Sequence, residues 1–454
     1  MDTLKVLMPT GMLGGGFPAQ TVQRGLDLGA DAIVVDGGST DSGPHYLGTA
    51  TAKTSRSAVA RDLRVLLVAA RRADIPLVIG SCGTAGTDAG VDWVGRIADE
   101  ILTNEGLSCA VARIYSEQSA KALVPRLESG HIRPLPPAGE LEAQDLLRCS
   151  HIVAVMGHEP ISRALADGAD LVLAGRATDT ALLASVALPR GFPAGAVWHA
   201  GKISECGGLC TTRPTSGGVL VVLDEAGFVV EPLAPDAACT PFTVAAHMLY
   251  ENADPFRLRE PDGLLDTSDA TYRAVDDRSV RVEGGRFDVL PPTIKLEGSA
   301  PAGYQTMIVV GLRSPTVLSQ IDTWCNGVLE YVREQVRTRL ALGESDYDIR
   351  LFRYGYDAVL GDAEPLGPET TREVGLVFLA TAPEQAVATE IAKLANPVLL
   401  HAPLPTETAM PSYAFLGSPA EIERGQLHEF VLCHSVEVDD ASELFRTEMN
   451  LRAE

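Results

Sequence analysis

The chain of 454 residues lacks several features that would assign it to a class at once. No stretch approaches the roughly 20 apolar residues of a membrane-spanning helix. The first residues, Met1 to Lys5, show no charged segment followed by an apolar one, so we expect no secretory leader. The eight cysteines include no CxxC pair, which indicates reduced thiols rather than a disulfide framework. We therefore expect a cytoplasmic protein.

Positive charge is also scarce, with 37 Lys and Arg against 60 Asp and Glu and a net charge of -23. So negative a surface repels phosphate backbones and anionic lipids, which argues against nucleic-acid and membrane partners. An anionic small molecule would have to be held locally, by arginines and backbone N–H groups. The composition is otherwise that of a soluble globular protein, and the length predicts two or three domains.

The chain does contain four loops of small residues, each directly after an apolar, β-branched stretch. These loops are 11–16, 36–43, 80–86 and 175–179. Short buried strands separated by helical stretches predict a parallel sheet, and ligands bind outside the carboxyl ends of the strands in such sheets. We therefore expect the four loops to share one edge and form one site.

The element pattern predicts three regions. Residues 1–197, including a strand at 151–156, form an α/β domain with a doubly wound parallel sheet of the Rossmann or flavodoxin type; barrel-like closure of that sheet is the alternative. Residues 198–304 form an α+β middle region or lid, with hairpins at 218–230 and 278–287. Residues 305–454 follow the order βαββαβ, which predicts a ferredoxin-like domain whose helix 321–340 covers its sheet.

The first two loops offer the clearest candidates for binding and acid–base chemistry. The first loop lacks the GxGxxG spacing and the P-loop lysine of nucleotide sites. Its glycines form either a simple turn or a nest of N–H groups for a carboxylate or phosphate. The second loop has the polar composition of many surface turns, but it follows a strand. The catalytic candidates are Asp36, Asp41 and His45, and the substrate-binding candidates are Gly14, Gly15, Gly16, Gly37, Gly38, Ser39 and Thr40.

The other two loops add an arginine and a thiol. Arg176 either binds a carboxylate of the substrate through two hydrogen bonds or is a structural arginine. Asp179 either binds substrate or caps a helix. Cys82 is either a catalytic thiolate or, as cysteines more often are, a small packing residue. The remaining substrate-binding candidates of these loops are Ser81, Gly83 and Thr84.

A dense run of reactive side chains begins at Trp198. His199, Lys202 and Glu205 are three residues apart, so on a helix they share a face and could exchange protons, although a salt-bridged surface helix would look the same. We take Lys202 and Glu205 as catalytic candidates. Cys206 and Cys210 lack a second Cys/His pair of matching spacing, so no metal is expected.

Five short motifs stand in order along the chain: Asp36-Gly37-Gly38-Ser39-Thr40, Gly175-Arg176-Ala177-Thr178-Asp179, Glu205-Cys206-Gly207-Gly208, Lys295-Leu296-Glu297-Gly298 and Gly303-Tyr304. In these motifs and their spacing the chain resembles the acyclic terpene utilisation protein A family, from Val6 to about Gly311 and more loosely beyond. The resemblance implies a role in the catabolism of branched acyclic terpenoid acids, which are processed as acyl-CoA thioesters. It transfers no catalytic residue.

Three functions are compatible with these residues. The first is an enzyme acting on a carboxylic acid or its CoA thioester, as a hydratase, dehydratase or isomerase. The second is a hydrolase or acyl transferase with Cys82 or Ser81 as nucleophile. The third is a non-catalytic subunit of a larger complex, which binds an acyl-CoA or acid and docks a partner through the ferredoxin-like domain. In each we expect no tightly bound cofactor, CoA only as part of a substrate, and a homo-oligomer.

Overall fold

The computed structural model describes residues 3–365, 371–402, 404 and 413–450. The chain forms two compact units. The first runs to Ala300 and includes the chain from Phe430 onward, and the second is Pro301–Glu429. The predicted division into 1–197, 198–304 and 305–454 stays a prediction.

The helices and strands follow one another in this order. The first unit begins with β1 (Leu4–Met8), α1 (Ala19–Asp27), β2 (Ala32–Asp36), α2 (Pro44–Thr49), α3 (Arg56–Ala73), β3 (Leu77–Gly80), α4 (Asp88–Glu105) and β4 (Val111–Tyr115). It continues with α5 (Ala120–Glu128), β5 (Ile132–Pro134), α6 (Ala143–Arg148), β6 (His151–Val155), α7 (Glu159–Ala166), β7 (Leu171–Ala174), α8 (Asp179–Ala187) and α9 (Ala194–Ser204). Then come β8 (Val219–Leu223), β9 (Gly227–Pro232), α10 (Pro241–His247), β10 (Arg257–Glu260), β11 (Gly263–Asp266), β12 (Thr271–Ala274), β13 (Val280–Glu283) and β14 (Arg286–Val289). The strand β15 (Thr293–Leu312) passes into the second unit, which contains α11 (Pro315–Leu318), α12 (Ile321–Gln335), β16 (Asp348–Tyr354), β17 (Val374–Ala382), α13 (Gln385–His401) and β18 (Tyr413–Phe415). The strand β19 (Ile422–Glu437) returns to the first unit, to which β20 (Arg446–Asn450) also belongs.

The first unit is a mixed α/β structure around a sheet of ten strands in the order β12-β13-β9-β8-β1-β2-β3-β7-β4-β20. The central strands β1, β2, β3, β7 and β4 are parallel, as predicted, and the strands on either side are antiparallel. The parallel strands are buried on both faces, which explains their continuous apolar sequences. This mixed sheet establishes neither the Rossmann or flavodoxin class nor the barrel-like alternative.

Amphipathic helices cover this sheet. Ser55 caps the helix α3, because its side chain accepts a hydrogen bond from the N–H of Ala58. The helix buries an apolar face that includes Val59, Leu63 and Leu66. On the other side of the sheet α8 and α9 are buried along nearly their whole length, and they pack against each other. A helix with no exposed face places its few polar side chains inside the protein.

One strand and one hairpin predicted from the sequence pair differently from expectation. The strand β6 is not in the parallel sheet, because it pairs in antiparallel fashion with residues 295–299 of β15. The predicted hairpin at 278–287 is wrong: β13 pairs with β9 and β12, whereas β14 pairs with β11 in a separate sheet of three strands. Gly284, with φ of +93°, lets the chain leave one sheet for the other. The hairpin of β8 and β9 is confirmed.

The second unit has its own core. The strand β17 lies between β16 and β15, antiparallel to both, and β19 follows β15 in the strand order. The helix α12 buries Trp324, Val328 and Val332 against residues of these strands, as predicted for the helix that covers this sheet. The elements follow the predicted order βαββαβ with the short β18 added, while the ferredoxin-like classification stays a prediction.

Candidate functional site

The four small-residue loops lie side by side at the carboxyl ends of the parallel strands. The N–H of Leu13 donates to the carbonyl of Asp36 at 2.8 Å, and the N–H of Gly37 donates to the carbonyl of Gly80 at 2.8 Å. The N–H of Ser81 donates to the carbonyl of Gly175 at 2.9 Å. These bonds connect the loops after β1, β2, β3 and β7 in sequence across one edge of the sheet.

The first glycine loop does form an anion nest, but its anion belongs to the protein. The N–H groups of Gly14 and Gly16 both donate to the Asp62 carboxylate, each at 2.9 Å. Gly15 is exposed beside them. Asp62 is buried within α3, so the nest fastens that helix to the loop. In this structure the N–H groups of Gly14 and Gly16 are therefore engaged by Asp62, and substrate binding by this loop stays a prediction.

The second loop has some buried residues and some exposed ones. Asp36 is buried, and its Oδ2 accepts a hydrogen bond from the N–H of Gly38 at 2.8 Å. Thr40 is buried as well, and its hydroxyl donates to Glu297 at 2.9 Å. Asp41 is exposed and bonded to Ser39, and His45 is exposed on α2. The structure therefore brings Asp36 and Thr40 into the interior and leaves Asp41 and His45 at the surface.

Two glycines of this loop are needed for its close packing. A Cβ atom on Gly37 would lie 2.7 Å from the carbonyl oxygen of Gly80. One on Gly38 would lie 2.6 Å from the Cα of Thr84, and the φ of Gly38 is +142°. Gly37 and Gly38 therefore let the second and third loops touch, which is a structural role.

The third loop is buried and contributes mainly packing. Cys82 is fully buried, its thiol donates to the carbonyl of Ile79, and burial and the neighbouring Asp36 raise its pKa far above the ordinary value. Such a thiol is neutral at pH 7 and a weak nucleophile. Gly83 packs against Gly90, and the hydroxyl of Thr84 accepts a hydrogen bond from the N–H of Lys53. Ser81 alone among these candidates turns its side chain to Arg176.

Arg176 lies at the centre of the buried polar groups. Its Nε donates to Glu297 at 3.0 Å, its Nη1 to Ser81 and to the Ala177 carbonyl at 3.3 Å each, and its Nη2 to Thr40 at 3.3 Å. Four of its five N–H groups are thus engaged within the protein. Burial opposes the charge of Arg176, but Glu297, Asp179 and Asp36 raise its pKa, so it stays protonated. A two-point grip on a ligand carboxylate would require some of these bonds to break.

Glu297 is the ionised partner of this arginine. Burial alone would raise the pKa of Glu297, but Arg176 and Lys295 together lower it to about 2. The ammonium of Lys295 lies 2.6 Å from its other oxygen. The sequence does not predict Glu297 as a site residue, although Glu297 belongs to one of the five short motifs. Nothing in a strand sequence indicates which arginine its side chain contacts.

A second group forms around Lys202 on α9. Its Nζ lies 2.5 Å from Glu205 Oε1, and both side chains are only 5% exposed. The predicted pairing of these two residues is therefore observed, but inside the protein rather than on a surface helix. His199 does not join them, because its Nε2 bonds to the hydroxyl of Tyr272 at 3.0 Å.

Asp179 connects the two groups. Asp179 is the first residue of α8, and the positive charges of Arg176 and Lys202 both act to lower the pKa of its carboxyl group. Burial nevertheless raises the pKa of Asp179. Burial also raises the pKa of Asp36 well above its usual range, and Asp179 adds to this effect. The same two causes raise the pKa of Glu205.

Glu260 completes the cluster and was missed by the sequence analysis. It lies at the end of β10, it is 3% exposed, and its Oε1 accepts a hydrogen bond from Thr180 at 2.7 Å. Burial raises its pKa to about 8. Its other oxygen, like Asp36 Oδ1, has no hydrogen-bond partner among the described residues. Its neighbours Arg257 and Arg259 suggest an exposed strand, so the sequence carried no signal for it.

The cluster thus contains carboxyl groups in different protonation states within one buried region. Glu297 is ionised, Glu260 is largely protonated at pH 7, and Asp36, Asp179 and Glu205 bind protons more tightly than in water. Divergent carboxyl pKa values next to fixed cations are characteristic of sites that transfer protons.

Comparison with known proteins gives the family. The profile described as "Acyclic terpene utilisation family protein AtuA" matches residues 49–415. The chain belongs to this family, which is consistent with a catabolic role. Neither the curated proteins nor the solved structures contain a match to the chain. Across the described parts of the chain, we find no helix with both the length and the apolar character needed to span a bilayer.

Proposed function

We propose that the protein is a cytoplasmic enzyme that acts on a branched, terpenoid-like carboxylic acid or its CoA thioester by proton transfer. The reaction is a hydration or dehydration, which makes the enzyme a lyase, or an isomerisation. The observation that carries the proposal is the cluster of the buried Asp36, Glu205 and Glu260 and the half-buried Asp179 around the cations Arg176 and Lys202.

Both reactions need an acid and a base at one place. Dehydration takes a proton from the carbon next to a carbonyl and gives one to the departing hydroxyl group, and isomerisation moves a proton between two carbons. Glu260, with a pKa of about 8, is a suitable donor at pH 7. Asp179 is a suitable base, because Arg176 and Lys202 stabilise its charged form.

The cations supply the second requirement, the stabilisation of negative charge on the substrate. Removing a proton next to a carbonyl places charge on the carbonyl oxygen, and a fixed ammonium in a buried site stabilises it strongly. Lys202 is placed for this role, with its position set by Glu205. Arg176 keeps one N–H group for a ligand and contributes its full charge.

The substrate class follows from the family and from this chemistry. Branched acyclic acids and their CoA thioesters have the carbonyl group that the reaction requires, and CoA would enter as part of the substrate. Proton transfer of this kind needs no tightly bound redox cofactor. We further propose that the enzyme is a homo-oligomer without nucleic-acid or membrane partners.

The proposal is tested by ligand screening and then by isotope exchange. Carboxylic acids and CoA thioesters are screened by thermal shift, since a ligand at 100 times its Kd adds about 2.7 kcal/mol of stability. Each ligand found is incubated with the enzyme in D2O, and deuterium next to the carbonyl is measured by mass spectrometry. We expect exchange, and we expect the rate of the complete reaction to fall as the pH rises above about 8 because Glu260 loses its proton.

Matched variants identify the groups responsible. Asp179→Asn should lower the exchange rate about 10²- to 10⁴-fold, the usual contribution of a base, and Lys202→Met about 10²- to 10³-fold, the usual contribution of one group that stabilises an oxyanion. Glu260→Gln should lower the rate of the complete reaction about 10²- to 10⁴-fold, because Glu260 is the proton donor. Lys393→Met is the control, because Lys393 pairs with Glu390 at the same spacing on an exposed helix surface. Wild-type exchange in Lys202→Met, or stabilisation by none of these ligands, would contradict the proposal.

A further inference from the structure

Three residues with the chemistry of metal ligands meet beside this cluster. Glu205 and Cys206 directly follow α9, and His247 is the last residue of α10, which packs against α9. One ligand atom from each of the three lies within 4.8 Å of the other two. Glu205 and His247 are each 5% exposed, and Cys206 is half-buried.

The imidazole of His247 is the second observation. Its Nε2 is buried and has no hydrogen-bond partner among the described residues. The ring is stacked on Tyr250, with centroids 5.4 Å apart and an interplanar angle of 11°, which restricts its rotation. Buried imidazole nitrogens are usually hydrogen-bonded, so an imidazole that has an unpaired nitrogen and lies beside a thiol and a carboxylate points to a ligand.

We propose that Glu205, Cys206 and His247 bind a divalent transition-metal ion of the Zn²⁺ type. Thiolate, imidazole and carboxylate are the three side-chain ligands of zinc, and three protein ligands leave a fourth position open. Bonds of about 2.0 to 2.3 Å in a tetrahedron place ligand atoms roughly 3.3 to 3.8 Å apart, so each pair of ligand atoms has to approach by at most about 1.5 Å when the ion binds.

Lys202 is the neighbour that the ion has to accommodate. Its Nζ is bonded to Glu205 Oε1 and lies 5.7 Å from the centre of the Tyr250 ring. One oxygen of the Glu205 carboxylate can accept the hydrogen bond from the Lys202 ammonium while the other oxygen binds the ion. An ion here could polarise a substrate carbonyl, and that role rests on the proposed function. Binding of the ion does not depend on any reaction.

The test uses Co²⁺ as a spectroscopic probe of the full-length protein after treatment with a chelator and dialysis. We expect one equivalent to bind with the absorption of tetrahedral Co²⁺ and a thiolate-to-metal charge-transfer band. Cys206→Ser should remove that band. Cys206→Ser and His247→Gln should each weaken binding at least about 100-fold, because the loss of groups that only support metal ligands already costs about 10- to 100-fold.

Two controls make the result specific. Cys149→Ser removes a half-buried thiol elsewhere and should leave the spectrum and the affinity unchanged. His158→Gln alters the other possible ligand group, His158, Glu159 and Asp262, and should also have no effect. Circular dichroism and thermal melting establish that each variant is folded; if Cys206→Ser is not, His247→Gln and the wild-type charge-transfer band decide. No binding of Co²⁺ by the wild type, binding without the thiolate band, or unchanged binding in folded Cys206→Ser and His247→Gln would overturn the proposal.

Discussion

Glu260 should make the protein less stable as the pH rises, and Glu260→Gln should remove that dependence. At pH 5 the folded protein keeps a proton on Glu260 while the unfolded chain has largely released it. Stability from this group is therefore present below its ordinary pKa of 4.5 and is lost as the pH rises through about 8. The interval from 4.5 to about 8, at about 1.36 kcal/mol per pKa unit, gives an upper limit of about 5 kcal/mol.

Glutamine has the size of the protonated acid and cannot lose a proton. Its oxygen can still accept the hydrogen bond from Thr180, while its NH₂ group would lack a partner and cost about 1 to 3 kcal/mol. We expect Glu260→Gln to be about 0 to 2 kcal/mol less stable than the wild type at pH 5, and about 2 to 4 kcal/mol more stable at pH 9.

The assay is urea unfolding of both proteins at several values between pH 5 and pH 9. The difference between the two free energies of unfolding removes the contribution of every other titrating group. A difference that stays constant within about 0.5 kcal/mol over this range would refute the raised pKa of Glu260 and with it the proton donor of the proposed mechanism.

Two further predictions concern buried carboxylates. Glu297→Gln should destabilise the protein by about 3 to 5 kcal/mol at pH 7, because it leaves the buried Arg176 without its charged partner. The difference in free energy of unfolding between the wild type and the variant should shrink as the pH falls from 4.5 toward about 2, the pKa of Glu297, because Glu297 is then protonated. Glu283→Gln, at a more exposed ion pair, should cost at most about 1 kcal/mol in the same urea titration, and equal losses would contradict the argument. Asp62→Ala should cost about 1 to 3 kcal/mol in thermal unfolding because two partly buried N–H groups lose their acceptor. Asp27→Ala removes an exposed carboxylate and should have little effect, and similar melting temperatures for the two variants would show that the nest does not depend on Asp62.

The sequence predicted which loops lie together better than it predicted the buried contacts between side chains. Apolar, β-branched stretches followed by small residues identified the parallel strands and placed their loops on one edge, because strand direction determines where loops emerge. The three-residue spacing of Lys202 and Glu205 likewise predicted their contact on a helix. These are local signals or direct consequences of topology.

Contacts between distant segments could not be predicted in this way. The carboxylate that neutralises Arg176 comes from a strand 121 residues further along, and the acceptor for Gly14 and Gly16 lies in the middle of α3 among arginines. A buried acid such as Glu260 has the same local sequence as an exposed one. Which carboxylates are buried depends on packing between elements, and a single sequence does not contain that information.

The arrangement of the two units along the chain has a consequence for synthesis on the ribosome. The edge strand β20 pairs with β4, but the whole of Pro301–Glu429 is made between the main part of the first unit and β20. At about 5 to 20 residues per second, the nascent chain waits on the order of ten seconds with the outer edge of β4 unpaired. An unpaired strand edge readily pairs with another chain. The interval before β20 emerges is therefore the period in which the nascent protein is most exposed to aggregation and most in need of a chaperone.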